Sequence, residues 1–84
     1  MSLTVVVQET ALRALARIRP EDRAAFMSIR HAMATLADQP RPAEAIAWGG
    51  SGIYRWYLPG IRILYEIDTG ASIIYIINVA RAAT

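Results

Sequence analysis

The sequence predicts an α+β fold: two N-terminal helices packed on one face of a small, mostly antiparallel sheet, in the order β-α-α-β-β-β. Three observations predict it. Apolar residues recur at spacings of three and four between residues 10 and 39, as on one face of a helix. Apolar and polar residues then alternate from 53 to 67, broken only by Pro59-Gly60. Residues 72–79 are almost continuously apolar, as in a buried strand. Helices grouped ahead of strands segregate to one side of a sheet. With 84 residues, the chain forms one domain, residues 1–84.

Residues 3–8 are apolar and β-branched and open the fold as a strand. Thr10 is the expected N-cap of a short helix reaching Ile18, lined by Leu12, Leu15 and Ile18. Pro20 suits the first turn of a second helix, with Glu21 and Asp22 at its positive end. Phe26, Ile29, Met33 and Leu36 form its apolar stripe, with Arg23 and Arg30 off it. The helix should stop before Pro40. Residues 43–47 read as a short edge strand or irregular chain, followed by a glycine-rich turn at 48–52. Two hairpin strands follow, about 53–58 and 61–68. Thr69-Gly70 turns the chain into the last strand, and residues 81–84 form a short polar tail.

Pro-Gly favours a type II turn, which suits a two-residue hairpin poorly, so a loop longer by two is a second option. Either way Tyr57 faces Arg62 and Arg55 lies diagonally from Arg62. Alternation puts Tyr54, Trp56, Ile63 and Tyr65 under the helices, and Arg55, Tyr57, Arg62 and Leu64 on the opposite face. Two guanidinium groups and a phenol then share one side of a hairpin. That is an anion site suited to a phosphate backbone.

Composition narrows the chemistry. The chain has no cysteine, which excludes disulfides and thiolate catalysis. Its apolar runs are too short to span a bilayer, and no signal peptide is expected. All nine basic residues are Arg, and the net charge is only +2. Arg holds phosphate through two donors but does not serve readily as a base. A GC-rich codon bias also accounts for Arg over Lys and for the many alanines, but not for where Arg55 and Arg62 sit. Hydrophobic residues make up 55% of the chain, which points to apolar surface covered by a partner or a second copy, unless the alanines inflate the count.

His31 falls mid-helix beside the apolar stripe and reads as structural. Trp56 reads as core, whereas Trp48 in the glycine-rich loop is open to either role. The G-G-S-G of 49–52 leads into a strand and lacks a following Lys, so it is no phosphate loop. The acidic residues show no metal-ligand spacing, and neither metal nor cofactor is expected.

The segments A-L-R-A-L (11–15), D-Q-P-R-P (38–42), G-I-Y-R (52–55), G-I-R-I-L-Y-E-I (60–67) and N-V-A-R (78–81) resemble the RelE/ParE family of bacterial type II toxins over almost the whole chain. The Y-R followed by G-x-R-x-x-Y is the specific part. The resemblance implies a cytoplasmic ribonuclease that cuts messenger RNA in the ribosomal decoding site by 2′-hydroxyl attack without a metal. It also implies an antitoxin partner that wraps and blocks the toxin, as a hetero-oligomer; a homodimer is the other assembly open. On this pattern the site residues are Arg55, Tyr57, Arg62 and Arg81.

The chain departs from the pattern in three places. Tyr57 stands where active members often carry a second basic residue. V-A-R-A replaces V-G-H-R or V-G-K-R around Arg81. The tail ends at Thr84, without the aromatic residue that many active members place further on. These departures imply weaker chemistry or reliance on ribosomal groups. They leave two alternatives: a ParE-like inhibitor of DNA gyrase, or a degenerate member retained to bind its antitoxin.

Overall fold

The computed structural model describes residues 2–82; the last two residues of the expected polar tail lie outside them. The elements run β1 (Thr4–Val7), α1 (Glu9–Glu21), α2 (Arg23–Asp38), β2 (Ala45–Ala47), β3 (Ile53–Leu58), β4 (Ile61–Asp68) and β5 (Ile73–Arg81). They form one five-stranded sheet in the order β1-β5-β4-β3-β2, parallel between β1 and β5 and antiparallel elsewhere. The predicted class holds, with residues 45–47 resolved as a short edge strand.

The helix boundaries differ from expectation for local reasons. Gln8, not Thr10, precedes α1; its N–H donates to Ile76 O (3.0 Å) and its carbonyl accepts from Leu12 (2.9 Å), so the turn from strand to helix is already tied to β5. Pro20 lies in the last turn of α1 rather than opening α2. The bond its missing N–H forgoes is to the carbonyl of Ala16, an exposed residue that water can reach. Asp22 closes α1 through its N–H to Ile18 O (2.7 Å) and caps α2 through its carboxylate, which accepts from Ala25 N (3.0 Å). α2 stops at Asp38, before Pro40.

The core lies between the helices and one face of the sheet. Ala11, Ala14, Leu15 and Ile18 of α1 and Ala25, Ile29, Ala32 and Leu36 of α2 are buried against Trp56, Ile61, Ile63, Tyr65, Ile67, Ile74, Ile76 and Val79. Alanines on both helices bring the backbones close to the sheet. Leu12 is exposed instead of lining α1, because its place on the buried face is taken by Ala11 and Ala14. Tyr65 is the largest fully buried side chain, and its hydroxyl donates to Pro40 O (2.8 Å). It stacks on Tyr54 with ring centroids 5.5 Å apart, and Arg41 Nε donates to the Tyr54 hydroxyl (3.1 Å). The two tyrosines thereby pin the α2–β2 connection to the sheet.

The nearly continuous apolar run of β5 is the pattern of a strand covered on both faces, yet β5 is covered on one. Ile74, Ile76 and Val79 face the helices, while Ile73 and Tyr75 on the other side are only half-buried. Pairing with β1 and β4 on both edges shields part of their surface without a covering layer. The β3–β4 loop is the two-residue option: Leu58 pairs with Ile61, and Gly60 takes φ +79°, as the third position of a type II turn requires.

Candidate nucleic-acid interface

The β3–β4 register pairs Tyr57 with Arg62 and Arg55 with Leu64. Directly opposed residues share a face, so Arg55, Tyr57, Arg62 and Leu64 all project from the uncovered side. Leu64 is half-buried and the other three are exposed, with Tyr57 44% exposed. Trp56, Ile63 and Tyr65, interleaved with them, are buried beneath the helices. Among the described residues, neither Arg55 nor Arg62 forms an ion pair; the two ion pairs there are Arg13–Glu9 and Arg81–Glu21.

Arg55 has a different neighbour. Its guanidinium lies 5.3 Å from the centre of the Trp48 ring, a cation–π arrangement. Trp48 is held there because its N–H donates to Ile53 O (2.8 Å) and Gly52 O accepts from Ile67 N (2.9 Å). Gly52 is required at that point: its φ is +80°, and a Cβ would sit 3.1 Å from Ile67 O. Trp48, Arg55, Tyr57, Arg62, Leu64 and Asn78 line a hollow of about 230 Å³ on this face.

Arg81 does not join them. One residue, Ile77, is extra in β5: Tyr65 pairs with Ile76 but Leu64 pairs with Asn78. Strict alternation from Ile73 and Tyr75, which face the open side, would have put Arg81 beside Arg62. The bulge exchanges the faces beyond it. Arg81 pairs with Ile61 on the helix side, and its guanidinium donates to Glu21 at 3.1 Å. The same exchange brings Asn78 into the hollow. Its Oδ1 accepts from Val79 N (2.9 Å), leaving the amide N–H groups as donors. Sequence reasoning missed Asn78, and the signal available was one amide in an otherwise apolar strand.

His31 lies on α2 across the sheet from the hollow, bordering a second, larger depression of about 570 Å³ between α2 and the β3–β4 turn. Among the described residues no three His, Asp or Glu side chains gather into a metal-binding cluster, and no helix is long and apolar enough to cross a membrane. Among the described residues, the one strongly shifted ionisable group is Tyr65: burial, reinforced by neighbouring Tyr54 and opposed by Arg41, pushes its phenol up to about 12.

Two helices on one side of a five-stranded mixed sheet, with arginines on the bare side, define a small α+β class. Within it, this chain has the fold of the RelE toxins. It superposes on RelE in the RelBE2 toxin–antitoxin complex of Mycobacterium tuberculosis with a TM-score of 0.77 and 24% identity, covering 98% of this chain and 100% of that one. The isolated E. coli RelE toxin gives 0.83 and 16%, covering 99% and 87%. The archaeal RelE–RelB complex of Pyrococcus horikoshii gives 0.82 and 22%, covering 96% of both chains. No family model and no curated protein matches the sequence.

Proposed function

We propose that this chain is the toxin of a toxin–antitoxin pair and an endoribonuclease acting on ribosome-bound messenger RNA in the cytoplasm. The observation that carries the reading is the meeting of Arg55, Tyr57 and Arg62 on a bare sheet face, with both guanidinium groups free of ion pairs among the described residues. The fold shared with RelE toxins supports it.

In this reading the 2′-oxygen attacks the adjacent phosphorus, the bond to the 5′-oxygen breaks, and that oxygen takes a proton from water, leaving a cyclic phosphate and a 5′-hydroxyl. Arg55 and Arg62 hold the non-bridging oxygens and stabilise the extra negative charge of the transition state. The 2′-hydroxyl proton needs an acceptor, which Arg does not provide. Tyr57 is the one other ionisable side chain of the hollow, so the acceptor is its oxygen in deprotonated form, which becomes the phenol on taking the proton, or a group of the ribosome. Arg81 is left out of the reacting set by its place on the far face.

The partner is an antitoxin. Leu12 and Met27 on the helices and Val6 and Ile46 on the outer strands are exposed. Covering them would answer the high apolar content. Similar RelE proteins crystallised bound to RelB.

The test is to mix purified protein with programmed ribosomes. Cleavage by the wild type that Arg62→Ala abolishes supports the reading; equal inertness of both while an accepted RelE cuts overturns it. One observation favours a second reading: with Arg81 paired to Glu21, this face carries two cations where the sequence pattern promised three. A degenerate, antitoxin-binding member would leave growth normal on overexpression. DNA damage signalling without loss of translation would instead mark a gyrase inhibitor.

A further inference from the structure

We propose that Trp48 is the base-stacking platform of the site, so that the chain binds single-stranded RNA through one unstacked base as well as through phosphate. The inference rests on the reading of Arg55 and Arg62 as phosphate ligands and adds the element that grips the nucleobase.

Trp48 is 53% exposed, in contrast to buried Trp56. An exposed indole in a glycine-rich loop is ordinarily a mobile surface residue, but the backbone that carries this one is tied to the sheet. Backbone hydrogen bonds bracket it at Trp48 N and Gly52 O, and the Arg55 guanidinium lies over its ring. Arg55 thus joins the two parts of the site: it lines the hollow with Arg62 and lies over the indole that also lines it. Every base has a π-face, so an exposed indole beside a cationic groove is the arrangement by which single strands are held with little sequence preference. A volume of about 230 Å³ is below that of pockets for drug-sized ligands, which suits part of one nucleotide. Asn78, with its amide N–H groups unspent on the protein, adds a donor in the same hollow.

The experiment compares two probes: a short 2′-O-methyl oligoribonucleotide, which cannot be cleaved, and an abasic ribose-phosphate strand of the same length. The proteins are wild type, Trp48→Ala, Trp48→Phe and Arg62→Ala, each checked for an unchanged melting temperature. Loss of one stacked base weakens binding by roughly 5- to 150-fold. Trp48→Ala should lose that much affinity for the oligonucleotide and change little for the abasic strand. Trp48→Phe should recover most of the loss. Oligonucleotide binding should also quench tryptophan fluorescence in wild type and in Trp56→Phe. If Trp48→Ala leaves the oligonucleotide affinity within twofold of wild type while Arg62→Ala lowers it, the platform is overturned and the phosphate site stands; Trp48 then belongs to a protein contact. If neither substitution changes the affinity, or no binding is found, both readings fall.

Discussion

The two faces of the sheet are built from alternating residues of the same strands, and they are chemically opposite. In β4, Ile61, Ile63, Tyr65 and Ile67 point to the helices and are buried, while Arg62 and Leu64 point the other way to meet Arg55 and Tyr57. Arg62 and Ile63 are neighbours in the chain, yet one side chain ends in solvent and the other among Trp56 and Val79. Backbone pairing holds both faces together, but the free energy of folding comes from one and the charge from the other. The difference teaches that, in so small a domain, stability and ligand binding are separated by strand parity rather than by distance. Substitutions on either side should therefore have separable effects.

The largest effect is expected at Ile63. Removing a fully buried isoleucine side chain beyond Cβ costs about 2–5 kcal/mol. An 84-residue domain has roughly 4–13 kcal/mol in all at the usual stability per residue. Ile63→Ala should consequently lower the melting temperature by ten degrees or more on the order-of-magnitude scale for small domains. Whatever fraction stays folded should bind RNA as the wild type does. A loss of RNA affinity measured well below the melting transition would break the separation of the faces.

Arg62→Ala is the complementary change. Removing one preorganised donor to a developing negative charge typically costs about 10²–10³-fold in rate. Cleavage on programmed ribosomes should fall by that factor, with stability within about 0.5 kcal/mol of wild type, as for surface substitutions. Each phosphate contact to a single strand adds about −0.7 to the slope of log K against log salt, so the slope should become shallower by about that amount. An unchanged slope would remove Arg62 from the phosphate contact.

How much of this was legible depended on whether the information was local. The parity of β3 and β4 was, because Pro59-Gly60 fixes the turn and every residue up to Leu64 follows from it. The second helix is also clear from Phe26, Ile29, Met33 and Leu36, although Ala25 and Ala32, not Phe26 and Met33, are the buried companions of Ile29 and Leu36. Alanine carries little hydropathy signal, yet its small size lets helix and sheet approach. Pro20 was misplaced because proline is tolerated in a last turn whose lost hydrogen bond faces water, as well as in a first turn. The position of Arg81 was not legible at all. The bulge at Ile77 lies in a run of apolar residues that read equally well in either register, and only pairing with β4 decides it. The likeness of N-V-A-R to a family motif pointed Arg81 to the site; the geometry carries it away.

A more modest effect is expected at Tyr65, where the core face reaches its rim. Tyr65→Phe keeps the ring stacked on Tyr54 and removes the hydrogen bond to Pro40 O, at a cost of about 0.5–1.5 kcal/mol. The pH dependence is specific. The folded-state value, about 12, lies above the ordinary phenol value of 10.0. Below pH 10 the phenol is neutral in both states and its contribution is fully present. Above it the unfolded chain loses the proton first, so stability falls as pH rises from about 10 to about 12. The difference between wild type and Tyr65→Phe in urea midpoints should shrink over that window and be flat from pH 6 to 9. A difference that does not change up to pH 12 would mean that the hydroxyl is not held in a dry site.

The smallest effect is expected at Arg81, and it sharpens the comparison most. On the register, Arg81 belongs to the helix side and is joined to Glu21 by a single contact at 3.1 Å between two half-exposed side chains. Such a pair is worth about 0–1 kcal/mol, less in salt. Arg81→Ala should therefore shift the melting temperature by a few degrees at most in low salt and scarcely at all in 0.5 M salt. A double-mutant cycle with Glu21→Ala should return the same small coupling. Cleavage on ribosomes and the salt slope of RNA binding should stay close to wild type, in contrast to Arg62→Ala. If Arg81→Ala instead abolished cleavage with stability intact, the cation would be reaching the RNA around the end of β5, and parity alone would not divide the two faces.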